Sequence, residues 1–358
     1  MKSVMIGERK AWQGIASLAS AFALSFGISF GTIWSGVSVG TRAWNVCNCV
    51  SGLTQWAMPT SVCIIGSIFL SAPHSIGLSA LWRRFIPSVI FSCIIWWLAS
   101  SVVIMHNNHP QDLDFLTFRE CMAEALEAPS FIGFCHMLVS FFILYPLLFR
   151  ITSNEKLTLY TMLLIFAISM LETTLREVPY LSAVTMFADQ LNWGYYRAWA
   201  FYLLFGAWVT KHEFDWKVAL AIYILGILAT SLMISLTSIT TNFNPGYANE
   251  YIGYTSPLTA VQTAAVVVFF KRLFGNITAP LFSRISKNLW HCVPVLYISS
   301  LFTERLIAAM TDSTVATALF GALINAILGI LVVLALGQLS GFRVLVGDYD
   351  RRNGGIMA

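Results

Sequence analysis

The chain of 358 residues is 57% hydrophobic and only 11% charged, with a formal net charge of +4 at neutral pH. Soluble globular domains carry about 25% charged residues, so this composition excludes an ordinary soluble protein and indicates a membrane protein. The small and dispersed positive charge indicates neither a nucleic-acid-binding surface nor a polybasic lipid anchor.

The apolar runs predict helices, because backbone polar groups in lipid must bond within their own segment and the alternating pattern of a β-barrel is absent. A helix needs about 20 residues to cross the hydrocarbon. We therefore predict an all-α, polytopic membrane bundle of about ten transmembrane helices, forming a single domain over residues 1–358. The windows are 12–34, 55–72, 86–105, 130–150, 157–176, 194–212, 217–237, 255–272, 289–309 and 316–338.

The first window begins AWQGIASLASAFALSFG, at residues 11–27, and contains no ionisable side chain. Its apolar run continues to Trp34, which is longer than the core of about 7 to 15 residues in a signal peptide. We predict a spanning helix whose Ala, Ser and Gly residues let neighbouring helices approach closely.

Basic residues mark one side of this arrangement. If the ten windows alternate in direction, sixteen of the 21 Lys and Arg residues fall on the side of the N-terminus. Because cytoplasmic loops are enriched in Lys and Arg, we predict that both termini are cytoplasmic. The remaining five basic residues are Arg42, Arg119, Arg176, Arg197 and Arg305.

The longest outer connection joins the third and fourth windows. Its segment from Leu116 to Ala128 has helical spacing, which predicts a helix at the membrane surface. We interpret His106 and His109 in this loop as solvated, and we predict no metal site. Seven cysteines without CxxC spacing indicate no disulfide framework; whether the outer Cys47, Cys49 and Cys121 pair with one another stays open.

Ionisable groups inside a bilayer are costly, so each one suggests a function. Glu172 and Arg176 are four residues apart on one helical face, which fits either a structural ion pair or a polar chamber that opens outward and grips hydroxyl or anionic groups. The predicted topology puts six such residues from four helices in the outer half of the membrane: His136, Glu172, Arg176, Arg197, Glu304 and Arg305.

The inner face carries a different pattern. The stretch LWRRFIP places Arg83 and Arg84 just before a helix that has Pro87 in its first turn. Guanidinium groups beside a helix N-terminus suit phosphate, although the same arginines also fit plain positive-inside topology. His74, His212 and His291 lie at inner boundaries, but the sequence assigns no carboxylate to orient any of them.

Four stretches in this order resemble the acyltransferase 3 family, bacterial inner-membrane proteins that move acyl groups, usually acetyl from acetyl-CoA, onto surface polysaccharides and related envelope acceptors. The stretches are QGIASL at 13–18, WAMPTSVCIIGSIFL at 56–70 followed by LWRRFIPSVIF at 81–91, FCHMLVSFFILYPLLFRI at 134–151, and ISKNLWHCVPVLYISSLF at 285–302.

The resemblance implies a multi-pass protein of the bacterial inner membrane that moves an acyl group from cytoplasmic acyl-CoA to a surface polysaccharide or glycolipid. It implies no bound cofactor, with Arg83 and Arg84 holding the phosphates of the acyl-CoA. The acceptor would lie in the outward chamber, whose binding residues would be Arg176, Arg197, Glu304 and Arg305. Homo-oligomers and envelope-assembly partners stay open.

One departure from the family pattern bears on catalysis. The first helix of the family carries a histidine about eleven residues after its Arg, and here that position is Leu24, with no histidine between Met1 and Val46. An enzyme would need a substitute base, and His136 and Glu172 are the candidates. The alternative is a catalytically silent relative that serves as a partner or structural component in envelope polysaccharide assembly. A small-solute transporter is disfavoured because the sequence has no internal repeat.

Overall fold

The computed structural model describes residues 10–34, 36–108, 115–127, 129–170, 196–243, 253–277, 292–308 and 313–338, and every regular element in these ranges is helical. The predicted all-α class is therefore confirmed. The helices are α1 Ala11–Trp34, α2 Arg42–Thr54, α3 Ala57–Phe69, α4 Ile86–Asn108, α5 Phe115–Glu127, α6 Pro129–Thr152, α7 Glu155–Ile165, α8 Tyr196–Lys211, α9 Trp216–Phe243, α10 Pro257–Phe274, α11 Val293–Ala308 and α12 Thr314–Gln338.

Six helical segments in the described ranges are long and apolar enough to cross a membrane. This agrees with a membrane protein. Each of the ten predicted windows overlaps a described helix, but helices such as α3 and α11 are too short to meet the same criterion. The six segments are Ala11–Trp34, Leu78–Asn107, Phe134–Thr152, Trp216–Thr241, Pro257–Phe274 and Val315–Leu336.

Helix α3 lies at the centre of the bundle, and all 13 of its residues are buried. It packs mainly against α8 and α1. At about 1.5 Å per residue, it is roughly 20 Å long, shorter than the hydrocarbon layer of about 30 Å. Phe69 at its end meets the rings of Phe141 and Phe142 of α6, with centroids 5.9 and 5.3 Å away. The second window is thus a central packing helix, enclosed by protein.

Helix α2 lies outside all ten windows, because Asn, Ser and Thr interrupt its apolar residues. Gly40 precedes it in the left-handed region, with φ of 79°, and the Thr41 hydroxyl accepts a hydrogen bond from Trp44 N at 3.2 Å, which caps the helix. Trp44 packs on Trp34 of α1 with ring centroids 5.8 Å apart. Asn48 donates through Nδ2 to Ile234 O of α9 at 3.0 Å.

Helix α5 confirms the helix predicted from Leu116 to Ala128. Its side toward the bundle carries Cys121 and Ala125, which are buried against Ile104 of α4. Trp97 Nε1 of α4 donates to Met122 O at 3.0 Å. Leu116 points outward and is 60% exposed, so the helix keeps apolar surface for a membrane interface.

The outer surface of α9 is apolar. Ile227 is 67% exposed and Leu225 is 55% exposed, whereas Ala229 and Met233 of the same helix are buried. Exposed aliphatic side chains along such a helix face are typical of contact with lipid tails. The hydrocarbon environment predicted from composition agrees with this surface.

Candidate functional site

The basic residues of several helices meet at one end of the bundle, which we call the basic end and define by Lys10, Arg150, Lys211, Lys271 and Arg272. Lys211 Nζ reaches Thr152 O of α6 at 2.7 Å, and Lys271 Nζ reaches Val209 O of α8 at 2.7 Å. Three cavities of about 310, 210 and 290 Å³ open there, and each is lined by at least one of these residues.

Lys271 of α10 ties the end of α8 to the loop that follows it. Its ammonium group is buried and donates to Val209 O and His212 O, and it lies 3.3 Å from Glu213 Oε1. An ammonium group has three hydrogens, so these three acceptors occupy all of them. The last carbonyls of a helix lack partners within the helix and favour a cation, which explains why the charge is tolerated here.

Two further cations bind carbonyl groups at the same end. Arg272 Nη1 donates to Phe214 O at 2.6 Å, and Lys211 Nζ donates to Thr152 O at 2.7 Å. Together with Lys271, they fix the loop from residue 212 to residue 215 against α6 and α10. Most of the cationic groups at this end therefore have a structural role as well as a charge.

His212 gains a carboxylate partner that the sequence could not assign. Its Nε2 lies 2.9 Å from Glu155 Oε1, and its Nδ1 lies 2.8 Å from Trp208 O. The ring also stacks on Trp208, with centroids 4.5 Å apart. Both ring nitrogens therefore face acceptor oxygens, and the imidazole joins the start of α7 to the end of α8.

The cavity of about 310 Å³ combines excess positive charge with aromatic walls. Three cationic side chains and one carboxylate line it, which leaves a formal charge of +2. The indole of Trp12 is fully buried, and its Nε1 has no hydrogen-bond acceptor within the described ranges. The lining residues are Lys10, Trp12, Glu213, Phe214, Lys271, Arg272, Gly275 and Asn276.

The predicted phosphate-binding pair lies outside these three cavities. The prediction that Arg83 and Arg84 lie just before a helix N-terminus is wrong, because they lie on a π-helical segment, Leu81–Phe85, that is continuous with α4. Arg83 is exposed, and Arg84 is half-buried with its guanidinium carbon 5.9 Å from the centroid of the Phe85 ring. Ile76 and Leu78, which precede this segment, line the cavity of about 290 Å³ together with Arg150. The pair therefore lies near the basic end.

The residues predicted for the outer chamber are described in part. His136 is exposed on α6, whereas Glu172 and Arg176 lie outside the described residues. Arg197 lies in the first turn of α8, and Glu304 and Arg305 lie near the end of α11; the side chains of these three also lie outside the described part. The helix directions put the backbones of Arg197, Glu304 and Arg305 at the end of the bundle opposite Lys211.

Three of the stretches that carry the family resemblance are in direct contact. Gln13 Nε2 donates to Ser67 Oγ at 2.9 Å, which joins the first stretch to the second. The Tyr145 hydroxyl donates to Phe69 O at 3.4 Å and accepts from Ile76 N at 3.2 Å, which joins the fourth window to the second. Leu24, at the position of the family histidine, is buried in the apolar core.

No family model, no curated protein and no solved structure matches this chain.

Proposed function

We propose that this protein is a membrane-bound O-acyltransferase-like protein with ten spanning helices and cytoplasmic termini. It moves an acyl group, in the first instance acetyl, from cytoplasmic acyl-CoA to a surface polysaccharide or glycolipid of the bacterial cell envelope. The observation that supports this best is the contact between the stretches that resemble the family, through Gln13, Ser67, Phe69 and Tyr145. The residues of each contacting pair are more than 50 positions apart in the chain, and they meet where α1 begins and where α3 and α6 end.

The proposed donor and acceptor sites are assigned from the charged residues at the two ends of the bundle. The donor carries phosphate groups, and arginine binds phosphate through bidentate hydrogen bonds, so Arg83 and Arg84 hold the acyl-CoA at the basic end. The acceptor hydroxyls bind at the opposite end, among Arg176, Arg197, Glu304 and Arg305. Transfer forms a C–O bond to the acceptor and breaks the C–S bond of the thioester. The hydroxyl proton passes to the base, His136 or Glu172, and the CoA leaves as a thiol once protonated.

A catalytically silent relative is the second candidate, and two observations favour it. Leu24 fills the position of the family histidine with an apolar side chain inside the core. His136 is exposed on its helix, whereas a base is expected to face a chamber within the bundle. In this reading the bundle serves as a partner in an envelope polysaccharide assembly system.

Labelled acetyl-CoA distinguishes the two candidates. Membranes that contain the protein are incubated with radiolabelled acetyl-CoA and a panel of envelope glycans, and label in the glycan fraction is counted. We expect transfer that falls at least tenfold in Arg83→Ala and Arg84→Ala. Lys156→Ala is the matched control, because Lys156 is exposed near the basic end and lines none of the three cavities.

A negative result in this assay would favour the catalytically silent partner over the enzyme. No labelled glycan across the whole panel, from protein that keeps its thermal unfolding transition, would contradict acyl transfer. Loss of label in Lys156→Ala to the same extent as in Arg83→Ala would contradict the assigned donor site.

A further inference from the structure

The cavity of about 310 Å³ at the basic end has donors that no described group uses. Lys271 contributes charge alone, because Val209 O, His212 O and Glu213 Oε1 occupy its three hydrogens. Arg272 commits one nitrogen to Phe214 O, which leaves other N–H groups of its guanidinium. Lys10 and Asn276 complete the polar lining.

The indole of Trp12 points to a ligand independently of the charges. Its ring is fully buried, its N–H has no acceptor within the described ranges, and Trp12 is one of the residues that line this cavity. Buried N–H groups in native proteins are nearly always paired, and an unpaired one costs about 1–3 kcal/mol. An acceptor atom of a bound molecule would satisfy it.

Exposed apolar residues are close in sequence to the residues that line this cavity. Leu273 follows Arg272 in α10 and is 53% exposed, and Ile277 follows Asn276 after the helix and is 44% exposed. Trp216, two residues after Phe214, is 57% exposed. In a membrane protein, exposed apolar groups of this kind contact lipid tails. A ligand in this cavity is therefore within reach of both the aqueous phase and the hydrocarbon.

We propose that this cavity binds the phosphate group of an anionic phospholipid headgroup. Lys10, Arg272 and Trp12 Nε1 donate to the phosphate oxygens, Lys271 adds a buried positive charge, and the acyl chains lie along Leu273 and Ile277. Glu213 bonds to Lys271 and leaves a formal charge of +2 at the site. This site is separate from the acyl-CoA site assigned to Arg83 and Arg84, and it holds whether or not the protein transfers acyl groups.

Lipid binding to the intact, detergent-solubilised chain tests the site. Native mass spectrometry measures the Kd for phosphatidylglycerol, with zwitterionic phosphatidylcholine as the comparison. Lys10→Gln removes one charge, and Trp12→Phe removes the N–H while keeping an aromatic ring. We expect each variant to weaken binding of phosphatidylglycerol about tenfold, since one charge-assisted hydrogen bond is worth about that factor. Lys156→Gln makes the same charge change as Lys10→Gln away from the cavity and should leave the Kd unchanged.

Three results would overturn the proposal. Equal affinity for phosphatidylglycerol and phosphatidylcholine would show that the anion is not recognised. Equal losses in Lys10→Gln and Lys156→Gln would show a diffuse charge effect. Inorganic pyrophosphate that binds in a Lys10-dependent manner, while phosphatidylglycerol does not bind, would assign the cavity to a soluble phosphate.

Discussion

Gly66 of α3 and Gly206 of α8 bring the backbones of their helices into direct contact. A Cβ atom added to Gly66 would overlap the carbonyl group of Leu203, and one added to Gly206 would overlap the carbonyl group of Cys63. Helices in lipid associate through van der Waals packing, and small residues allow their backbones to come close. This crossing fixes α8, whose last turn builds the basic end.

Gly206→Ala should destabilise the protein, because the neighbour that must move is backbone and cannot rotate away. Overpacking of this kind costs about 1–3 kcal/mol, against a gain of about 1 kcal/mol from the helix propensity of alanine. We expect a lower midpoint of thermal unfolding in detergent. Gly31→Ala is the control, since Gly31 lies in α1 with no atom of the described residues within 4 Å of the added Cβ. A variant Gly206→Ala as stable as Gly31→Ala would contradict the close crossing.

Lys271→Met should also destabilise the fold, because it leaves Val209 O and His212 O without their donor. Hydrogen bonds to a charged group are worth about 1.5–3 kcal/mol each, but the burial of the ammonium group offsets part of this. We expect a net loss of about 1–3 kcal/mol in the free energy of unfolding. Lys217→Met removes an exposed lysine near the same loop and should change stability by less than about 0.5 kcal/mol. Equal stability of the two variants would mean that Lys271 does not hold the loop.

The contact between Gln13 and Ser67 should show a measurable coupling energy. Both side chains are buried, and Gln13 Oε1 also accepts from Lys10 N at 2.8 Å. Gln13→Ala and Ser67→Ala are measured alone and together in a double-mutant cycle. We expect a coupling of about 0.5–1.5 kcal/mol, the net worth of one hydrogen bond. Fully additive losses would show that the two stretches are close without being bonded.

Apolar windows predicted where the helices lie, but not how deeply each helix is buried in the bundle. Composition and run length sufficed for α1 and α9, which are long and apolar enough to cross a membrane. They did not predict that α3 is short and fully buried, because a helix surrounded by protein and a helix surrounded by lipid can have the same residues. They missed α2. This helix is stabilised by the N-cap hydrogen bond of Thr41 and by the packing of Trp44 on Trp34, and hydropathy measures neither interaction.

The candidate site was also predictable from the sequence only in part. The clustering of basic residues at one end follows from their alternation along the chain, which the sequence displays. The contact between His212 and Glu155 could not be predicted from the sequence. The two residues are 57 positions apart and meet only through the packing of α7 against α8. No sequence pattern predicts that Trp12 Nε1 lacks an acceptor among the described residues, since a tryptophan in an apolar helix is typical of a packed core.

Cys121 should react with thiol reagents far more slowly than Cys49. Cys49 is exposed on α2, whereas Cys121 is buried on the side of α5 that faces the bundle. Burial raises the pKa of the Cys121 thiol, and the nearby carboxylates of Glu124 and Glu120 raise it further. The Cys121 thiol therefore ionises at a higher pH than the thiol of an unfolded cysteine, whose pKa is about 8.5. Rising pH through this range favours the unfolded chain, so the contribution of Cys121 to stability is present below about pH 8 and declines above it.

Variants that keep one cysteine measure this difference with a maleimide reagent between pH 7 and pH 9. We expect at least a tenfold lower rate for Cys121 at each pH, with the gap closing only when the protein unfolds. Equal rates at pH 7 would contradict the burial of Cys121.

Labelling from each side of the membrane tests the orientation on which the proposed function rests. Asn48 of α2 bonds to Ile234, which lies 18 residues along α9 from its start at Trp216. At about 1.5 Å per residue this is roughly 27 Å, close to the thickness of the hydrocarbon. Cys49 should therefore lie across the membrane from Trp216 and from the basic end.

Arg83→Cys supplies the second position, because Arg83 is exposed near the basic end and only α3 separates it in the chain from α2. In a background without other cysteines, a reagent that cannot cross the membrane should label Cys49 from outside intact cells and the new cysteine only after permeabilisation. Protection of both, or labelling of both, from the same side would mean that the short helix α3 does not carry the chain across. Cys49 and Arg83 would then lie on the same side of the membrane. The proposed assignment of the basic end to the cytoplasm would no longer hold.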